Sequence, residues 1–163
     1  MSNDTRSAEY QAKLEARFWK KAIQGPGCWE WSGSKSRGHG RLDVRGKTGY
    51  AHRFSYEVAH GPIPDGMQID HVCHNRGCVN PSHLRAVTPK QNTENKAGAN
   101  PNSKSGVRGV HWRKDVSKWQ VTIHAGPKMH HAGYFTDLAE AEQAVIAKRN
   151  ELFTHNELDR KAA

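Results

Sequence analysis

Between Asp70 and Asn92 the chain reads DHVCHNRGCVNPSHLRAVTPKQN, the densest run of ligand-type and base-type side chains in its 163 residues. Cys73, Cys78 and His83 follow one another with four residues between neighbours, three thiolate or imidazole donors within one loop. A structural zinc ion takes four such donors in a closed tetrahedron. The remaining cysteine is Cys28, just ahead of Trp29-Glu30-Trp31, and a Cys3His set that includes it would tie the N-terminal segment to the loop. The competing reading, thiols packed as small hydrophobes, is disfavoured because the loop is rich in Asn, Arg and Gly and offers little apolar contact.

The flanks of the same run carry a different chemistry. An unperturbed imidazole titrates at about 6.5, so His71 can take a proton from water near neutral pH; its alternatives are a zinc ligand or a surface histidine. Asp70 and Asn92 offer two hard oxygens, which suits a Mg²⁺ ion that keeps several waters and binds phosphate. Such an ion acts as a Lewis acid on a phosphate ester and its leaving oxygen. The ordinary alternative for Asn92 is a helix-surface side chain.

These groups must be positioned by local elements. Met67 to His71 reads as a short strand and Leu84 to Val87 as the returning strand. Thr88-Pro89-Lys90-Gln91 then starts a helix, with Thr as N-cap, Pro at N1 and Gln at N3. The order is strand, long loop, strand, helix, with Asn92 on the helix. Upstream, Ser7 to Ile23 is predicted helical from Leu14, Phe18 and Ile23, ending at Gly25-Pro26-Gly27. Gly40 to Arg45 alternates towards a hairpin that resumes at Tyr50, and Ala51 to His60 is predicted helical up to Gly61-Pro62-Ile63-Pro64.

Composition bounds the rest. Lys plus Arg number 25 against 16 Asp plus Glu, a formal +9 that points to polyanions, nucleic acid above all. No long apolar run predicts a membrane span, and residues 1–24 lack the apolar stretch of a signal peptide. Three cysteines are too few and too odd for a secreted disulfide scaffold, which leaves metal or free thiols in a reducing compartment. Hydrophobic residues make up only 35%, so small, stapled cores are expected rather than one large one. The segment AGANPNSKSG, residues 97–106, has no large apolar side chain and is predicted to be a linker between domains at 1–96 and 107–163.

The quoted residues resemble those of the HNH, or His-Me finger, endonucleases with the ββα-metal fold. The resemblance is nearest to the zinc-bound His-Cys box homing endonucleases and to phage HNH proteins with CWEW, AHRFSYE and GPIP segments, and it covers roughly residues 17–96. It implies that His71 is the general base, that Asn92 and Asp70 hold a catalytic Mg²⁺ or Mn²⁺, and that Cys28, Cys73, Cys78 and His83 hold structural zinc. Asp70 follows the Asp-His form of other HNH nucleases, and His83 stands where the common pattern has its central Asn. Arg41, on the upstream hairpin, matches the arginine that contacts the scissile phosphate in related enzymes; Arg37 and Arg45 are its competitors.

Beyond residue 106, Val107–Trp112, Lys118–Ala125 and His130–Phe135 are strand-like, and Thr136-Asp137 caps a helix running to about Phe153. Residues 105–152, with SGVRGVHW, KWQVTI and HHAGYF, resemble the AP2-like DNA-binding domain, whose three-stranded sheet enters the major groove with a helix behind it. Six Lys or Arg between Ser103 and His131 face a single acid, Asp115, which suits phosphate contact. Alternation puts Trp119, Val121 and Ile123 on one strand face and Gln120, Thr122 and His124 on the other. Arg108, Arg113, Lys114, Lys118, Trp119, Gln120, Thr122 and His124 are the expected DNA contacts, with Trp119 equally readable as core.

The expected fold is therefore α+β: a zinc-stapled ββα-metal nuclease domain plus a small three-stranded antiparallel sheet packed on one helix. The expected function is metal-dependent hydrolysis of phosphodiester bonds in double-stranded DNA by a phage-type or homing HNH nuclease. It would act in the cytoplasm of a bacterial host or phage-infected cell, with no membrane partner and with homodimerisation open. The rival expectation is a non-catalytic DNA-binding regulator that uses both folds as scaffold; retention of Asp70, His71 and Asn92 together argues against it.

Overall fold

Leu14 and Phe18, one helical turn apart, place two apolar side chains on one face of α1 (Ser2–Trp19) and begin the first core. Phe18 stacks on Trp31 at 5.4 Å and meets Phe54 at 5.1 Å between ring centroids, so three aromatic side chains replace what a larger aliphatic core would supply. Ala22, Leu42, Ala51 and Val79 complete it. Trp31 is admitted by Gly40, where a Cβ would lie 2.6 Å from the indole.

The computed structural model describes residues 2–96 and 98–162, with side chains described from residue 8 to residue 160; Ala97, the first residue of the expected linker, lies outside the described residues. After α1 come β1 (Ala22–Ile23), β2 (Glu30–Trp31), β3 (Lys35–Ser36), β4 (His39–Val44) and β5 (Lys47–Tyr50). The helix α2 (Ala51–His60), the strand β6 (Gln68–His71), a 3-10 turn at Pro81–His83, and β7 (Leu84–Val87) follow. The expected first helix runs past its real end: Ile23 is not helical but pairs with Glu30 in the antiparallel β1–β2 ribbon. Two-residue turns at Arg37-Gly38 and Arg45-Gly46, all four residues with positive φ, close β3 on β4 and β4 on β5. That geometry suits the twist of the flanking strands. β6 and β7 pair antiparallel, Asp70 opposite Arg85 and His71 opposite Leu84.

The remaining elements are α3 (Pro89–Glu94), β8 (Val110–Arg113), β9 (Lys118–Ala125), β10 (Lys128–Phe135), α4 (Leu138–Leu152) and α5 (Glu157–Ala162). The strands form one antiparallel sheet in the order β10-β9-β8, and α4 packs on it. Val110, Val121, Ile123, Ala141, Val145 and Phe153 are its buried core. Asp137 caps α4 as the sequence predicts, its carboxylate accepting from the backbone of Ala139 and Glu140 at 2.7 and 3.0 Å.

The chain divides into two compact units, Met1–Thr88 and Pro89–Ala163. The division falls ahead of α3 rather than in the 97–106 segment. The reason is packing: Glu94 and Asn95 are buried and bond within the second unit, as described below. No helix among the described residues is long and apolar enough to cross a membrane.

Candidate active site

The loop after β6 is built by side-chain locks. Asn75 accepts from the Gly77 amide at 2.9 Å, and Asn80 caps the 3-10 turn by accepting from the Ser82 amide at 3.0 Å. His74 adopts a positive φ, which tightens the chain immediately after Cys73. The neighbouring β2 zips onto this loop: Trp31 donates its amide to Gly77 at 3.1 Å, Val79 donates to Trp29 at 2.8 Å, and Glu30 bridges Cys78. Asn80 also donates to the Gly27 carbonyl at 2.8 Å, which brings in the residue next to Cys28.

The result is convergence of Cys28, Cys73, Cys78 and His83, whose ligand atoms all lie within 4.8 Å of one another. His83 Nδ1 is 3.7 Å from Cys28 Sγ and 3.6 Å from Cys78 Sγ. Metal bonds of about 2.3 Å to sulfur and 2.0–2.1 Å to nitrogen give a tetrahedral edge of about 3.6 Å, so this donor set could hold zinc. Burial pushes the Cys78 thiol up to about 12 and raises that of Cys73, so a cation is what would make thiolates of them. His71 is not in the group.

His71 instead points its Nε2 at the Cys78 carbonyl, 3.1 Å away. A carbonyl only accepts, so Nε2 carries the proton and Nδ1 keeps its lone pair, the form a general base needs. Burial is the largest influence on this imidazole and lowers its pKa; His39 and His74 push the same way, against the Cys78 hydrogen bond and Asp70. The zinc-type loop therefore also sets the tautomer of the proposed base.

Asp70, the residue before it, is ion-paired: Arg85, its cross-strand neighbour, donates from Nε at 3.1 Å and Nη2 at 3.0 Å to one carboxylate oxygen. Asn92 lies on α3, in the second unit. Arg41 sits mid-strand on β4, its guanidinium 4.9 Å above the Tyr50 ring. Arg37 and Arg45 form the two hairpin turns, and Arg45 also stacks on Tyr10.

Three side chains that no motif in the sequence marks, His39, Tyr50 and His52, gather beside His71. His52 is 4.7 Å from it and His39 5.9 Å between centroids, and Tyr50 contacts both. Nothing in the spacing of 39, 50, 52 and 71 announces this group; it needs the hairpin and α2 to meet β6. Burial, followed by His71, His39 and Arg53, holds His52 neutral down to about 3, and its Nδ1 is buried without a hydrogen-bond partner.

In the second unit, His111, Arg113, Lys118, Gln120, Thr122 and His124 share the sheet face opposite the core. Arg113 donates to Gln120 at 3.3 Å and pairs with Asp115, and Gln120 donates to Tyr134 at 3.4 Å; Lys114 and Lys118 are exposed. Trp119 lies on the other face, packed against the core and edge-on to Trp112 at 4.9 Å. Arg108 departs from the expected set: it turns inward, donating to the Glu94 carbonyl at 3.1 Å and to the Lys96 carbonyl at 2.6 Å.

Residues 49–94, which include β6, the loop, β7 and α3, match a family model described as HNH endonuclease. The chain belongs to the same family as protein 3.8 of Escherichia phage T7, to which it is 35% identical over 97 residues, 60% of this chain and 78% of that protein. It is also 46% identical over 68 residues to protein 7.7 of the same phage, covering 41% of this chain and 52% of that protein. A third relative, from Acanthamoeba polyphaga mimivirus, is called an uncharacterized HNH endonuclease and is 37% identical over 76 residues, 40% of each chain. The chain thus spans about half the length of protein 7.7 and less of the mimivirus protein. No solved structure matches it.

Proposed function

We propose that this protein is a DNA endonuclease that hydrolyses phosphodiester bonds with a divalent cation, working inside phage-infected bacteria. The observation that carries the reading is the His71 imidazole, held through Nε2 by the Cys78 carbonyl, within a segment that matches the HNH endonuclease model. His71 Nδ1 takes the proton of the attacking water. Arg41, on the same face of the unit as Tyr50, contacts the scissile phosphate. Asp70 and Asn92, a carboxylate and an amide oxygen, suit Mg²⁺ or Mn²⁺ as hard donors. Bound there, the ion would supply Lewis-acid stabilisation of the phosphate and of the leaving 3′-oxygen. Cys28, Cys73, Cys78 and His83 hold zinc as a fold element, which keeps the Cys78 carbonyl where His71 needs it.

The second unit supplies further DNA contact in this reading, through the AP2-like sheet face bearing Arg113, Lys118, Gln120, Thr122 and His124 and through Lys114 in the turn after β8. Trp119 and Arg108 take structural roles instead, for the packing reasons given above.

The test is cleavage of supercoiled plasmid by the full chain with and without Mg²⁺, alongside His71→Ala. Wild type should nick or linearise the plasmid only with the cation. His71→Ala should lose activity by a factor of about 10² or more, the usual worth of a general base, while keeping its DNA affinity and zinc content. Undiminished cleavage by His71→Ala would remove the mechanism, and absence of any cleavage by wild type would favour a DNA-binding scaffold.

A further inference from the structure

α3 is six residues long, and a helix that short has no independent stability in water. Its direction, and with it that of Asn92, must come from what grips it. The grip is unusually polar and lies at its C-terminal end. Glu94 is buried at 3% exposure and is bonded by Lys90 from one turn earlier. Its other oxygen, Oε2, accepts from the Thr154 amide at 3.0 Å, the Thr154 hydroxyl at 3.1 Å and the His155 amide at 3.4 Å.

Asn95 continues the grip by accepting from the Glu157 amide at 3.4 Å. Arg108 covers the last carbonyl of the helix and one just beyond it, donating to those of Glu94 and Lys96. Arg108 is itself fixed, because its own carbonyl accepts from Arg149, which pairs with Asp159 on α5. Lys90, Thr154, His155, Glu157, Arg108, Arg149 and Asp159 all lie in the second unit.

We propose that Glu94 and Thr154 are positioning residues for Asn92: the C-terminal unit, besides binding DNA, aims the helix that carries a ligand of the catalytic cation. This rests on the assignment of Asn92 as such a ligand. In this reading cleavage depends on the second unit even where its DNA contacts contribute nothing, because the residues that hold the C-terminal end of α3 lie there.

The experiment uses the full chain with Glu94→Gln, Thr154→Val, Asn92→Ala and the double variant Asn92→Ala/Glu94→Gln. Plasmid cleavage is followed across a Mg²⁺ titration, DNA affinity is measured without Mg²⁺, and thermal unfolding reports folding. Glu94→Gln should raise the Mg²⁺ concentration for half-maximal rate by about 10- to 100-fold, the usual effect of releasing the support of a metal ligand. Thr154→Val removes one hydroxyl and should shift it the same way by a smaller factor, so it carries the test should Glu94→Gln fail to fold. DNA affinity should stay within about twofold. In the Asn92→Ala background Glu94→Gln should cost nothing further, because residues acting through one another are not additive.

An unchanged Mg²⁺ requirement in both Glu94→Gln and Thr154→Val would overturn the proposal. So would an equal loss with and without Asn92, or a loss that merely follows DNA affinity. If Asn92→Ala itself leaves the Mg²⁺ requirement unmoved, the ligand assignment falls first, and the positioning role with it.

Discussion

His52 is a neutral imidazole enclosed with His71 and His39, and its buried Nδ1 has no hydrogen-bond partner. Burial, with His71, His39 and Arg53 adding to it, lowers its pKa from 6.5 to about 3 in the folded chain. The unfolded chain therefore binds a proton below 6.5 that the folded chain refuses. Stability contributed by the neutral form is complete above about pH 6.5 and is lost progressively as the pH falls from 6.5 to 3. At pH 5 this amounts to about 2 kcal/mol. Urea unfolding at pH 7.5 and pH 5 should show wild type losing about that much more than His52→Leu; parallel losses in the two proteins would refute the assignment. Glu94 has the opposite charge and the same acid sensitivity. Burial works against its carboxylate, but the Lys90 and Thr154 bonds outweigh it and hold the pKa below 4.5, so its contribution is present above that value and fades below it.

At the scale of elements, the two-residue strand β2 and the loop that follows β6 depend on one another. Backbone bonds from Trp31 to Gly77 and from Val79 to Trp29 align them, but two such bonds are a weak clasp at the edge of a small core. Zinc held by Cys28 on one side and Cys73, Cys78 and His83 on the other would close it, and in small domains metal binding is folding energy. Elemental analysis should find about one zinc per chain. Cys78→Ser, at a buried site, should unfold the first unit or make it insoluble. Cys28→Ser is the more informative variant: it should lose zinc affinity and lower the melting temperature by several degrees. Retention of full zinc content and stability would exclude Cys28 from the site. The sequence shows these four donors but not how they are brought together, since β1, β2 and β3 are two residues each and leave no periodic signal.

For the whole molecule, positive charge is carried by both units; exposed Lys118 shares the face opposite the second core with the Gln120–Tyr134 pair, and exposed Lys114 lies in the turn after β8. Phosphate contacts set affinity and its salt dependence, whereas base-edge contacts set choice of sequence. In the full chain, Lys114→Ala with Lys118→Ala should weaken DNA binding on all sequences alike and reduce the slope of log affinity against log salt by about 2. Gln120→Ala should leave that slope nearly unchanged and alter discrimination between sites. Equal salt slopes in wild type and the lysine variant would move the DNA contact off this face.

The sequence by itself determined the local elements whose signals are periodic or chemical: the hairpin at 39–50, α2, the strand–loop–strand–helix order around His71, the cap at Asp137, and the Cys and His donors. Those depend on neighbours along the chain, where spacing and capping act directly. Only the tertiary structure decided which side chains meet. It placed His39 and His52 against His71 with Tyr50 beside both, set Arg41 over the Tyr50 ring, and turned Arg108 inward. It also gave α3 to the second unit, because a buried carboxylate at Glu94 needs donors, and the amides that satisfy it lie sixty residues further along the chain.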